Sequence, residues 1–512
     1  MSGAEKTIRY SNPVIPGFYP DPSICKAGSK YYVVTSSFEY FPGVPIFESE
    51  DLVHWRQIGH VLTRKSQLPL EGVGSSQGIF APTIRYHAGR FYVVTTNVTA
   101  GGNFLVWSDD PAGEWSEPVW LAQEGIDPSL FFDEDGRVYL TTSDPGEQAI
   151  YQSEINVNTG ELLCDPRRIW DGTGGAYPEA PHLYRAGDYY YLLIAEGGTE
   201  YGHMATIARG RSPFGPFEGN PDNPILTHRS LRSPIQATGH ADLVRDDDGS
   251  WWAVFLAIRP VGYPNRHHLG RETFLAPVSW PEGGWPTIGD GGRVSLSMEV
   301  SSLPAEIGEP PLRKERDDFD EGAPGFEWNF LRNPREKDWS LTERKGWLAL
   351  RGSEATLNDA ASPAFLGRRQ QHFECEARAL LEFEPAEDGE EAGLTAYMNE
   401  RFHYEIALTR MEGRPFVIVR RRLGSLSRVE FARKWDGGKA VELIIRADAE
   451  RYEFAYASPG GETIVAGSGE AALLATEVAG GFTGVFLGMY ATGNGARCRA
   501  SAYFDWFDYR IE

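Results

Sequence analysis

Residues 21–36 read DPSICKAGSKYYVVTS: a short apolar segment opened by Asp21-Pro22, a turn at Gly28, then a run of aromatic and β-branched residues. Such runs bounded by turn residues favour strands, because the side chains pack well on a pleated surface. The unit occurs five times. Its glycine turns fall at Gly28, Gly89, Gly136, Gly187 and Gly249, followed by YYVVTS, FYVVTT, VYLTTS, YYYLLIA and WWAVFLA. Spacings of 47 to 62 residues, with many short strands and no sustained helical period, fit four-stranded propeller blades. The expected fold class is therefore all-β, beginning with a five-bladed β-propeller.

The segments ahead of the turns are also alike: Asp21-Pro-Ser-Ile, Ala81-Pro-Thr-Ile, Asp127-Pro-Ser-Leu, Ala180-Pro-His-Leu and His240-Ala-Asp-Leu. They read as equivalent strand starts, which a propeller gathers around one axis. Asp21, Asp127, Glu179 and His240 stand at or beside these starts, and the second unit offers Phe80-Ala81 as an apolar wall. An Asp before Pro is ordinary turn chemistry and marks nothing alone. Three carboxylates recurring at one place in a repeat point instead to a shared pocket.

Between Ser301 and Arg316 the sequence becomes SSLPAEIGEPPLRKER, where Pro304, Pro310 and Pro311 discourage any strand. The expected organisation is a propeller over residues 1–302, a linker over 303–316 and a second all-β unit, a sandwich, over 317–512. HFECEARALLEF, HYEIALTR, VELIIRAD and YFDWFDYRIE are among its strand-like segments.

A length of 512 residues suits two such units. With 49 basic against 72 acidic residues the net charge is −23, which disfavours nucleic acid and anionic membrane surfaces and suits a neutral substrate. Cys25, Cys164, Cys375 and Cys498 are scattered without metal-site or disulfide spacing and read as reduced packing residues. The N-terminal residues lack an apolar signal core, and no run approaches the roughly 20 apolar residues of a membrane span, so a cytoplasmic protein is expected. A leader already removed would leave the same sequence on a secreted protein.

The ordered motifs carry a resemblance. They are Gly17-Phe18-Tyr19-Pro20-Asp21-Pro22-Ser23-Ile24, TSSFEYFPGVPIF, Asp127-Pro128-Ser129-Leu130, Tyr177-Pro178-Glu179-Ala180-Pro181-His182, AEGGTEYGH, Gly239-His240-Ala241-Asp242 and Gly270-Arg271-Glu272-Thr273. Together they resemble glycoside hydrolase family 43, in particular its β-xylosidase and α-L-arabinofuranosidase members with a C-terminal, concanavalin-like β-sandwich. The resemblance implies a five-bladed propeller and an inverting, exo-acting hydrolase. It casts Asp21 as general base, Glu179 as general acid and Asp127 as the residue that raises and orients the acid. Arg271, His240 and Phe38 match pocket positions of the family. Phe80 stands where relatives commonly carry Trp, and Phe482 resembles a residue that the sandwich extends to the pocket mouth. Some members bind calcium near the position of His240, so a structural calcium ion stays open; no other cofactor is implied.

The chemistry fits these residue types. Glycoside hydrolysis needs one protonated carboxyl for the leaving oxygen and one ionised carboxylate to activate water. A neighbouring negative charge such as Asp127 keeps Glu179 protonated. The expected substrate is a xylooligosaccharide or arabinoxylan-derived chain, with β-D-xylose favoured as the released sugar and α-L-arabinofuranose as the alternative. A non-catalytic carbohydrate-binding protein is the alternative of another class, against which the retention of all three carboxylates argues. A homo-oligomer is compatible with either.

Overall fold

In this computed structural model the described residues are 7–312 and 314–511. Five antiparallel sheets follow one another along the chain, each led by four strands that meander in sequence order. The first comprises Ser23–Ala27, Lys30–Val34, Gly43–Ser49 and Arg56–Leu62; the second runs from Thr83–His87 to Val119–Trp120. The third begins at Ile126–Phe132, the fourth at Glu179–Ala186 and the fifth at Gln236–Arg245. These leading strands touch in succession, and the fifth returns to the first. All five glycine turns join the first two strands of a sheet.

The apolar runs of the repeat explain the layering. Successive side chains of a strand point to opposite faces. Tyr31 and Val33 accordingly enter one apolar cluster with the fifth sheet, while Tyr32 and Val34 enter another with the second. Such strands are buried on both faces and read as continuous hydrophobic runs rather than alternating ones.

One buried polar hub ties all five sheets together. Asp242 of the fifth accepts from Ser23 of the first at 2.6 Å, Arg85 of the second at 2.7 Å and Tyr184 of the fourth at 2.6 Å. His182, also on the fourth, lies 3.0 Å from Arg85 and 3.1 Å from Ser129 of the third. The chain's N-terminal strand, Ile8–Ser11, pairs with Ser297–Val300.

Among the described residues no strand runs between Val300 and Arg316. Beyond lies a β-sandwich. One six-stranded sheet is ordered Ala364–Arg369, Phe486–Thr492, Glu391–Asn399, Phe402–Met411, Arg414–Leu423, Leu426–Lys434. The facing sheet is centred on Cys375–Glu382 and Ala502–Ile511, and Leu394, Ile406, Leu443, Phe454 and Phe504 fill the space between. The all-β class expected from sequence is thus found, with a single four-residue α-helix, Thr476–Ala479, among the described residues. Among the described residues no helix is long and apolar enough to cross a membrane, and none of the four cysteines forms a disulfide.

The sandwich is seated on the five-sheet unit. Phe330–Leu331 pairs with Tyr40–Phe41, the Tyr40 and Phe486 rings stack at 3.9 Å, and buried Arg369 donates to Phe18 O at 2.7 Å. Where the two meet, a Cβ on Gly484 would come 2.4 Å from Leu269 O, so only glycine permits this approach.

Candidate active site

Asp21, Asp127, Ala180 and His240 head four of the five recurrent tetrapeptides, and all four sit at left-handed φ, between 51° and 55°. Non-glycine residues rarely adopt that conformation. In the third, fourth and fifth sheets the pairing register shifts around these residues: between Ile126 and Ser129, Glu179 and His182, Gly239 and Asp242. A bulge re-aims the side chains at a strand start. The repeat therefore supplies equivalent positions, and the irregularity within it gathers charged side chains there.

Asp21 is buried and heavily bonded. Arg271 grips it with both terminal nitrogens, 2.7 Å to Oδ1 and 3.3 Å to Oδ2; Ser36 Oγ donates at 2.5 Å, and His240 Nδ1 lies 3.7 Å from Oδ1. Burial pushes its carboxyl up, but Arg271, His240 and the Ser36 hydrogen bond together outweigh burial and hold it below the usual carboxylate range. Glu179 is in the opposite state. Burial first, then the charges of Asp127 and Asp21, raise its carboxyl well above the ordinary value against the pull of Arg271. Asp127, which accepts from the backbone N–H of Ala180 at 3.1 Å, is raised too, by burial and by Asp21, with His240 opposing. One site thus biases one carboxyl toward the ionised form and a second toward the protonated form, the contrast that acid–base cleavage needs.

A cavity of about 540 Å³ opens over this group, lined by Tyr177, Glu179, Gly198, Thr199, Glu200, His267, Arg271, Thr476, Gly480, Gly481 and Phe482. Of the residues singled out from sequence, Glu179, Arg271 and Phe482 line it directly. Asp21 is joined to the lining through Arg271, and His240 stands behind Asp21. Phe38, Phe80 and Phe482 form one aromatic cluster, with centroids 5.4 Å apart for Phe38–Phe80, 6.0 Å for Phe38–Phe482 and 6.2 Å for Phe80–Phe482. Arg271 lies 5.6 Å from the Phe482 centroid. Its neighbour Glu272 is structural: it is fully buried and paired with Arg259 at 2.7 Å.

The wall around Phe482 belongs to the sandwich. Phe482 N donates to Ser76 Oγ at 2.8 Å, and a Cβ on Gly481 would meet that same oxygen at 2.4 Å. Glu477 clamps the short helix in place. It accepts from Tyr201 OH at 2.7 Å and from the His267 backbone N–H at 2.9 Å, and it lies 2.8 Å from His267 Nδ1. Thr199, which accepts from Arg271 at 3.1 Å, and fully buried His203, 3.7 Å from Glu179 Oε1, also escaped a role in the sequence reading, although AEGGTEYGH contains both.

A calcium ion beside His240 would need six to eight oxygen ligands. Among the described residues no group of three or more His, Cys, Asp or Glu is arranged to hold a metal, and Asp21 there is engaged by Arg271.

Known proteins share this architecture from end to end. Residues 10–286 match the model of glycosyl hydrolases family 43, and residues 316–510 match the beta xylosidase C-terminal Concanavalin A-like domain. A non-reducing end alpha-L-arabinofuranosidase of Bacteroides ovatus is 44% identical over 516 residues, spanning 100% of this chain and 96% of its own. A xylosidase/arabinosidase of Butyrivibrio fibrisolvens is 39% identical over 522 residues, spanning 98% and 99%. Among solved structures, a xylan beta-1,4-xylosidase from Bacillus halodurans superposes with a TM-score of 0.92 at 36% identity, covering 98% of this chain and 100% of that one. The Bacteroides ovatus Xyloglucan PUL GH43B structure superposes with a TM-score of 0.95 at 42% identity, covering 99% and 100%. By its sequence over both units and by the fold they form, this chain belongs to family 43 of the glycosyl hydrolases.

Proposed function

We propose that the chain is an exo-acting, inverting glycoside hydrolase that releases a terminal pentose from xylooligosaccharides or arabinoxylan-derived chains. The five sheets are the blades of a propeller, a reading supported by the closed succession of their leading strands and by the hub on Asp242. Residues 1–302 form the catalytic unit and 317–512 the sandwich, joined by 303–316. Asp21 is the general base, Glu179 the general acid and Asp127 the charge that keeps the acid protonated.

The observation that carries this reading is the contrast within one site: Asp21 is held by two hydrogen bonds from Arg271, whereas Glu179 faces the cavity beside acidic neighbours. Asp21 takes a proton from water as that water attacks the anomeric carbon. Glu179 gives its proton to the departing oxygen as the glycosidic bond breaks. Attack from one face and departure from the other invert the anomer in a single displacement. Arg271 limits repulsion among the acids and offers donors to sugar hydroxyls.

The relatives named above include an arabinofuranosidase and a xylosidase/arabinosidase, which supports both pentoses. β-D-xylose is taken as the primary unit, with α-L-arabinofuranose accepted, since the two sugars present similar reacting groups and small changes in pocket contacts separate them by only a few kcal/mol. The test is NMR of the anomer first released from a β-xyloside. α-Xylose is expected, with turnover lost in Glu179→Ala; initial β-xylose, or equal negligible rates in both proteins, would refute the reading.

A further inference from the structure

His203 immediately precedes the strand Met204–Gly210 in the fourth sheet, is wholly inaccessible to solvent, and has no part in the mechanism above. Its Nδ1 lies 3.3 Å from Ala237 O. A carbonyl only accepts, so this nitrogen carries the ring proton and Nε2 presents a lone pair. Among the described residues Nε2 has no hydrogen-bond partner, yet Glu179 Oε1 is 3.7 Å away. Buried polar atoms without partners are rare, and each asks for an explanation.

The seat of the ring is built for it. A Cβ on Gly239 would come within 2.6 Å of Cδ2 and Nε2, so the imidazole lies directly against bare backbone. Ala237, whose carbonyl holds Nδ1, is at φ 52°, within the register shift between Gln236 and Gly239. The charged groups acting on the ring are His240, Arg271 and Asp21; those acting on Glu179 are Asp127, Asp21 and Arg271. Burial, helped by His240 and Arg271, pushes the imidazole down to about 3, so the ring is neutral in the working range and cannot form an ion pair with Glu179.

We propose that His203 is a positioning residue for the catalytic acid: its Nε2 accepts a hydrogen bond from the protonated carboxyl of Glu179 and so keeps that acid loaded between turnovers. This rests on Glu179 being the acid. A hydrogen bond to the neutral form disfavours ionisation, and a carboxylate facing a lone pair is repelled. Each turnover moves the proton of Glu179 to the leaving oxygen as the glycosidic bond breaks, while water adds to the sugar and leaves a proton on Asp21. Solvent then carries one proton from Asp21 back to Glu179, and His203 exchanges none. The hydrogen bond forms when this 3.7 Å separation closes to about 2.8 Å.

The decisive measurement is ¹⁵N NMR of the His203 ring in the wild-type protein. Nδ1 protonated and Nε2 bare from about pH 5 to 8, with the Nε2 resonance moving in Glu179→Ala, is the expected result. A ring carrying its proton on Nε2 would overturn the proposal. Kinetics supply a second test. His203→Phe is expected to move the alkaline limb of kcat/KM down by about one pH unit and to slow xylobiose more than dinitrophenyl xyloside, whose departure needs no acid. His203→Gln, with an amide oxygen to accept, is expected to recover much of both effects. An unshifted limb with equal losses on the two substrates would also overturn it. Should the wild type turn over no pentoside, the reading of Glu179 as an acid fails instead, and the tautomer measurement still stands by itself.

Discussion

At the scale of single residues, Asp21 and Glu179 are the same chemistry in opposite surroundings. Asp21 has Arg271, Ser36 and His240 around its carboxylate, while the charges that act most on Glu179 are negative. Asp127→Asn removes one of them, so the carboxyl of Glu179 should titrate lower. Its protonated fraction then falls at neutral pH, and the alkaline limb of kcat/KM should move to lower pH, with kcat reduced by about 10²-fold and KM little changed. The arrangement also costs stability. A carboxyl raised in the folded state binds its proton more tightly there than in the unfolded chain, so folding weakens as pH rises above the unfolded value. Glu179→Gln should therefore raise stability at pH 8, by about 1 kcal/mol, while abolishing turnover; thermal unfolding checks this. Asp21 runs the other way. Its lowered carboxyl contributes stability above the unfolded pKa, and that contribution disappears as pH falls through the folded one.

At the scale of elements, the hub on Asp242 ties the five sheets together. Asp242→Ala leaves Arg85 buried without its counter-charge, and the loss should be about 3–5 kcal/mol in chemical denaturation. The helix Thr476–Ala479 has a different task. Glu477→Ala removes the hydrogen bonds from Tyr201 and His267, so the Phe482 wall should loosen and kcat/KM fall about tenfold, mainly through KM, with Tm nearly unchanged. The sequence made the strands and the three carboxylates readable because both recur, and recurrence needs no knowledge of distant contacts. Asp21, Asp127 and Glu179 stand in register with strand starts. His203, Glu477 and Arg85 carry no such mark, since each finds its partner on another sheet or in the other unit. AEGGTEYGH contains Thr199 and His203 as plain letters; the contacts of His203 with Ala237 O in the fifth sheet and with Glu179 appear only in the fold.

At the scale of the whole molecule, the net charge of −23 accompanies the uncharged pentosides proposed as substrates. Long-range steering should then matter little, and kcat/KM should change by less than about twofold between low and high salt, where a charged ligand would respond steeply. The pocket itself is a joint product. Asp21 and Glu179 come from the five-sheet unit, and Phe482 from the sandwich, anchored on Ser76. That sharing has a consequence for synthesis. The ribosome releases Asp21 and Glu179 some 300 residues or more before Phe482, so a nascent chain carries the proposed base and acid long before the pocket wall that Phe482 supplies. Activity should then wait for both units, and an assay of turnover in a translating extract is expected to report the folding of the sandwich rather than the emergence of Asp21 and Glu179.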